Sequence, residues 1–183
     1  NSAILFDPRG RYVDRYDKMH LVPFGEYVPL VDWLPFLQVL TPMTRAVMRG
    51  RDRVVFEIDA HGQTVRFCAL ICYEDVVPTL VRQFRRDGAQ AMINLTDEGW
   101  YGIPGELRQH VAMAVFRAAE THTPVVRAAN TGVSCFISGG GPGRAPGLQH
   151  ATVLGQRDGR RAATNVEGAL VATIRLSRVR TPY

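Results

Sequence analysis

The stretch from Thr64 to Thr96, "TVRFCALICYEDVVPTLVRQFRRDGAQAMINLT", decides the fold. It opens on an apolar run, "TVRFCALI", with the composition of a strand. The period then changes. Val77, Leu80, Val81 and Phe84 recur at helical spacing, and Gly88 marks the stop. The mostly apolar run 89–96, "AQAMINLT", reads as a second strand suited to burial inside a sheet. Strand, helix, strand is the repeating unit of a parallel sheet with crossover helices.

Working outward, "RVVFEID" (53–59) precedes this unit and is joined to it across the turn "AHGQ", as in a hairpin. Further upstream, "SAILFD" and "RYVDRYDK" form another hairpin across "DPRGR". Between them lies an apolar loop, 21–43, whose four prolines forbid one long helix. Downstream, a helix is expected from Pro104 to about His122, with Leu107, Val111, Ala114, Val115 and Ala118 on one face. "PVVRAA" and "VSCFIS" are strands across the turn "NTG". A glycine-rich loop, 139–147, leads to two expected edge strands, "ATVLGQRDGRRA" and "GALVATIRL". The pattern is α/β with mixed strand directions, in one domain spanning 1–183.

The 183 residues are 46% hydrophobic and 21% charged, which excludes a disordered chain. No run approaches the ~18 apolar residues of a spanning helix. The net charge of +5 is spread along the chain, with only Arg45, Arg49, Arg51 and Arg53 clustered. Without a nucleic-acid-binding motif this reads as a solvated basic surface, so no nucleic-acid partner is expected. Attraction to anionic lipid head groups is compatible with the same charge. The three cysteines are odd in number and match no zinc spacing, so a disulfide framework is not expected and no metal is called for.

Two residues stand out. Of 22 basic residues 21 are arginine, and the exception is Lys18. A lone lysine marks either an ordinary strand-end surface charge or a site that needs a compact ammonium. Cys72 follows a strand and precedes a helical pattern. A thiol there is either structural or a nucleophile favoured by backbone N–H groups and a helix dipole, and those N–H groups, Tyr73's among them, can hold an oxyanion. Cys68 and Cys135 sit within strands and read as buried. Glu26, inside the apolar loop, is a solvated loop charge or the partner of a buried cation.

"YDKMHLVPFGEYVP", "ICYED", "NLTDEGWYG" and "QHVAMAVFRAAETHTPVVRAANTGVS" together resemble the nitrilase, or carbon–nitrogen hydrolase, superfamily, and within it the apolipoprotein N-acyltransferase family. The resemblance runs from about residue 2 to 138. "HLVPFGEYVP" is its most specific motif, and "ICYED" is moderately specific. It implies a four-layer α-β-β-α sandwich, here incomplete, and a Glu-Lys-Cys triad in which Cys72 is the nucleophile and Lys18 the lysine. Glu26, Tyr73 and Glu74 match supporting positions of the site. Trp100 and Tyr101 match an aromatic loop near the pocket, or are core aromatics.

The family's general-base glutamate stands tens of residues before the lysine. Only 17 residues precede Lys18, and none of Asp7, Asp14 or Asp17 has the right context. The resemblance therefore implies the C-terminal part of a catalytic domain from a longer enzyme of the bacterial inner membrane, facing the periplasm. Its membrane helices and base would lie outside these residues, and the piece alone is expected to be inactive and to fold poorly.

The implied reaction moves an acyl chain from a phospholipid to the N-terminal amine of a diacylglyceryl-cysteine lipoprotein, through a thioester and without a cofactor. Phe24, Tyr27 and their apolar neighbours in loop 21–43 form either an acyl entrance touching the bilayer or ordinary packing. The rivals are a soluble amidase or carbamoyl hydrolase of the same superfamily, and a degenerate homologue without catalysis.

Overall fold

The computed structural model describes residues 1–31, 33, 34, 36, 47–60, 62–99, 104–130, 132–140 and 173–177. The chain forms two compact units, Asn1–Arg53 and Val54–Tyr183.

The first unit is built on an antiparallel hairpin of β1 (Ser2–Phe6) and β2 (Tyr12–Asp17), whose register opens with Ser2 opposite Asp17. Asp7 closes the turn by accepting from the Arg9 and Arg11 backbone N–H groups, both at 2.9 Å, while Gly10 takes the left-handed conformation at φ 75°. Tyr16 and Ala3, paired across the hairpin, are its buried face. Beyond β2 the chain turns at Val22–Tyr27, where the N–H groups of Gly25 and Glu26 both donate to the Val22 carbonyl.

The second unit contains one five-stranded sheet in the order β3 (Val55–Ala60), β4 (Gln63–Ile71), β5 (Ala91–Thr96), β6 (Val125–Ala129), β7 (Cys135–Ile137). The three central strands are parallel, and the two edges pair antiparallel. The β3–β4 pairing runs to Ala60 opposite Gln63, a tighter turn than the expected "AHGQ". Phe67, Cys68, Ala69 and Leu70 are buried in succession, so both faces of β4 are shielded there.

Helix α1 (Pro78–Arg86) links β4 to β5, and α2 (Pro104–Thr121) links β5 to β6. Proline begins each helix, where its missing N–H costs nothing. Leu80, Val81 and Phe84 form the buried stripe of α1, and Val111, Ala114 and Ala118 that of α2. Complete burial of a side chain such as Phe84 stabilises by roughly 1.5–3 kcal/mol. The helices pack on each other, and α2 also meets β6 and β7.

The turn from Cys72 into the helix is a 3-10 turn, Cys72–Val76, ahead of α1. Glu74 and Asp75 occupy that turn, so carboxylates rather than a bare helix terminus follow the thiol. One expectation needs correction: of the C-terminal strands, the first lies outside the described residues, and residues 173–176, the described part of the second, form no strand. Ser177 ties this segment to the unit: its N–H donates to the Gln90 carbonyl just before β5, and its hydroxyl accepts from Arg85 Nη2 at 3.1 Å. None of the described helices is long and apolar enough to cross a membrane.

Candidate active site

In the first unit, β2 delivers Lys18 to a buried position with 1% exposure. Its Nζ lies 2.8 Å from Oε1 and 2.7 Å from Oε2 of Glu26. Both strand-end and loop geometry hold that pair. Lys18 N–H donates to the Asn1 carbonyl at 3.0 Å, and Gly50 N–H donates to the Lys18 carbonyl at 2.7 Å. Glu26 is fixed in turn by Val22 N–H and by the Asn1 side-chain amide. Burying an ammonium is costly unless its charge is matched, and the bidentate carboxylate matches it. Phe24 and Tyr27 flank this turn and are exposed, with Phe24 in the left-handed conformation at φ 60° and its N–H donated to the Tyr27 carbonyl.

In the second unit, Cys72 stands at the carboxyl end of the parallel strand β4, the edge where open α/β sheets bind ligands. It is the partly exposed cysteine of the three; Cys68 and Cys135 are buried. Burial drives the Cys68 thiol far above the ordinary range and pushes Cys135 up to about 11, so both stay protonated and inert. Cys72 has φ 53°, a left-handed conformation that costs a residue with a Cβ about 1–3 kcal/mol. Its Sγ lies 3.8 Å from the Asp97 carbonyl oxygen.

The residues after Cys72 divide the work. Tyr73 is exposed, whereas Glu74 is fully buried and turns back so that Oε2 accepts from Ile71 N–H at 2.8 Å. This is the reach-back half of a capping box, and it shapes the turn that carries the thiol. Trp100 and Tyr101 lie outside the described residues.

Sequence reasoning missed the polar network beneath this turn. Arg127, fully buried on β6, donates from Nη1 to Asp75 Oδ2 at 2.9 Å and to Asn94 Oδ1 at 3.2 Å. Its Nη2 donates to Glu98 Oε1 through a short contact. His110 on α2 bridges the two carboxylates, with Nε2 2.8 Å from Asp75 and Nδ1 2.9 Å from Glu98. The two carboxylates are thus matched by Arg127 and bridged by His110.

Burial alone would lower the His110 pKa, but hydrogen bonds to Asp75 and Glu98 outweigh it and raise it above its ordinary value. Burial would likewise raise Glu98, and the His110 and Arg127 contacts override it, holding the carboxyl low. Glu98 reaches further, accepting from Val133 N–H at 3.3 Å, and its carboxylate occupies the space a Cβ on Gly132 (φ 93°) would need. The signal for this network was present in "AMINLT" and "PVVRAA". An amide and a guanidinium inside apolar strands must find partners when buried. Among the described residues no group of three His, Cys, Asp or Glu side chains is placed to hold a metal ion. Asp75 and Glu98 already hold a cation, the Arg127 guanidinium.

A partly exposed thiol at the carboxyl edge of a mixed α/β sheet defines a class, and the chain belongs to the carbon–nitrogen hydrolase family, whose model matches residues 1–181. Among curated proteins it is similar to the apolipoprotein N-acyltransferase of Geobacter metallireducens, 38% identical over 158 residues, covering 85% of this chain and 30% of that protein. The same name is carried by a Chlorobaculum tepidum relative, 39% identical over 140 residues, covering 74% of this chain and 26% of the relative. The chain thus spans under a third of the length of these relatives.

Two solved structures share the fold. Saccharomyces cerevisiae Nit3, of the nitrilase superfamily, has a TM-score of 0.52 at 23% identity, covering 76% of this chain and 45% of Nit3. An amidase from Nesterenkonia has a TM-score of 0.51 at 20% identity, covering 81% and 51%. The fold is that of the nitrilase superfamily, present here as a partial domain.

Proposed function

We propose that this chain is the C-terminal part of the catalytic domain of an apolipoprotein N-acyltransferase, at the periplasmic face of a bacterial inner membrane. The observation that carries this reading is the 38% identity, over 85% of the chain, to a curated relative of that name. The accessible Cys72 and the buried Lys18–Glu26 pair agree with it.

The Cys72 thiol gives its proton to the general-base glutamate of the triad, and Sγ attacks the ester carbonyl of a phospholipid. Lys18 and the Tyr73 N–H stabilise the oxyanion, each such donor being worth roughly 2.7–4 kcal/mol. The ester C–O bond breaks, and the lysophospholipid leaves with the proton, giving a thioester. The N-terminal amine of a diacylglyceryl-cysteine lipoprotein then attacks; its C–N bond forms as C–S breaks, and the amine's proton returns the thiol by way of the base. Glu26 holds Lys18 in place.

Loop 21–43 is the acyl entrance and touches the bilayer. Phe24, Leu30, Trp33 and Phe36 are more than half exposed, and Trp33 is 85% exposed, as a membrane-facing apolar surface requires.

The test is Cys72→Ser in the intact protein, read by mass spectrometry of lipoprotein N-termini. N-acylation is expected to disappear. Retained N-acylation would remove Cys72 from the mechanism, and amide hydrolysis without acyl transfer would replace the acyltransferase with an amidase.

A further inference from the structure

Asn94 lies at the centre of β5, fully buried, in a strand otherwise lined by apolar residues and threonine. Its Nδ2 donates to the Cys72 carbonyl oxygen at 3.1 Å, and its Oδ1 accepts from Arg127 Nη1 at 3.2 Å. The orientation of this amide is set by chemistry: a guanidinium only donates, so Oδ1 must face Arg127 and Nδ2 is left for the carbonyl. Arg127 is itself immobilised by Asp75 and Glu98, which His110 ties together.

The Cys72 carbonyl and the Tyr73 N–H belong to one peptide plane. That peptide is trans, so its C=O and N–H point in opposite directions. Whatever grips the carbonyl also aims the N–H. The grip matters because Cys72 is in the left-handed conformation, from which a free peptide would relax.

We propose that Asn94 is a positioning residue that, from beneath the sheet edge, aims the Tyr73 N–H at the oxyanion formed on Cys72, with Arg127 locking the Asn94 amide. This rests on the reading of Cys72 as nucleophile. It extends the site to residues that touch neither substrate nor thiol.

Two reactions of the same sulfur separate aiming from folding. Alkylation by iodoacetamide displaces iodide at a saturated carbon: S–C forms, C–I breaks, and no oxyanion arises. Acylation by p-nitrophenyl butyrate passes through a tetrahedral oxyanion: S–C forms, the ester C–O breaks, and p-nitrophenolate leaves. In the intact protein, Asn94→Asp keeps the shape and an acceptor for Arg127 but removes the donor to Cys72. Acylation of Cys72 should fall about tenfold to a hundredfold, the scale of a misplacement near 1 Å, while alkylation stays within about threefold of wild type.

Asn94→Ala, which removes both contacts without adding charge, should behave the same way. Peptide mapping of the alkylated cysteines serves as the fold control, because Cys68 and Cys135 react only if the core opens. Equal losses in both reactions, or unchanged acylation in a folded variant, overturn the proposal. Should Cys72→Ser itself retain acyl transfer, it is the nucleophile reading that fails, a result distinguishable from any Asn94 outcome.

Discussion

Two buried polar clusters, one in each unit, solve the same problem at different sequence range. Lys18 is neutralised by Glu26, eight residues later, within one strand end and the turn after it. Arg127 is neutralised by Asp75 and Glu98, 52 and 29 residues earlier, with His110 from a helix closing the set. The first pair is a local device that survives as long as its turn does. The second exists only when β5, β6, α2 and the Cys72 turn are all in register. The short-range pair suits a single chemical task, whereas the long-range cluster ties the site to the fold.

The sharpest way to break that distinction is Arg127→Ala. Removing it leaves two carboxylates buried with only His110 between them, and breaking such a cluster costs about 3–5 kcal/mol. A large drop in urea midpoint of the intact protein is expected; a drop comparable to that of a surface mutation would show the cluster to be dispensable. Lys18→Arg tests the other side. The charge is kept, but a planar fork replaces a compact ammonium, and turnover should fall about a hundredfold to a thousandfold with a smaller change in melting temperature. Wild-type kcat in this variant would mean that only charge is needed.

Gly132→Ala attacks the long-range cluster without touching its charges. The new Cβ overlaps the Glu98 carboxylate at a left-handed backbone position, and a loss of about 1–3 kcal/mol should appear in thermal melts.

The smallest effect is the most diagnostic, since it reads the cluster's protonation. His110 has a raised pKa, so its contribution is full below its ordinary value of 6.5 and is lost as pH rises through the folded value. Glu98 has a lowered pKa, so its contribution is present above its ordinary value of 4.5 and is lost as pH falls through the folded value. The cluster therefore stabilises most between those two ordinary values. His110→Gln should flatten the alkaline side of the melting-temperature profile and leave the acid side in place. An unchanged alkaline slope would show that His110 is not the titrating group.

The legibility of the two clusters follows their range. Both hairpins, α1, α2 and the parallel strands could be read because their periodicities are local. Lys18, Glu26 and Cys72 could be singled out because composition, loop context and motif each act over a few residues. The cluster around Arg127 could not, although "PVVRAA" carried a charge that a buried strand must satisfy. Nothing in one strand says which other element supplies the carboxylate.

The class of fold, the family, and the cysteine and lysine worth testing follow from the order of residues, because these depend on short-range pattern and residue chemistry. That the turn between Cys72 and its helix is a 3-10 turn emerges from the folded chain alone. Only it brought Asn94, Arg127, Asp75, His110 and Glu98 together behind that turn. The physical reason is that a buried charge can be matched by any partner the topology brings within hydrogen-bond reach, and strand register, not spacing along the chain, chooses which.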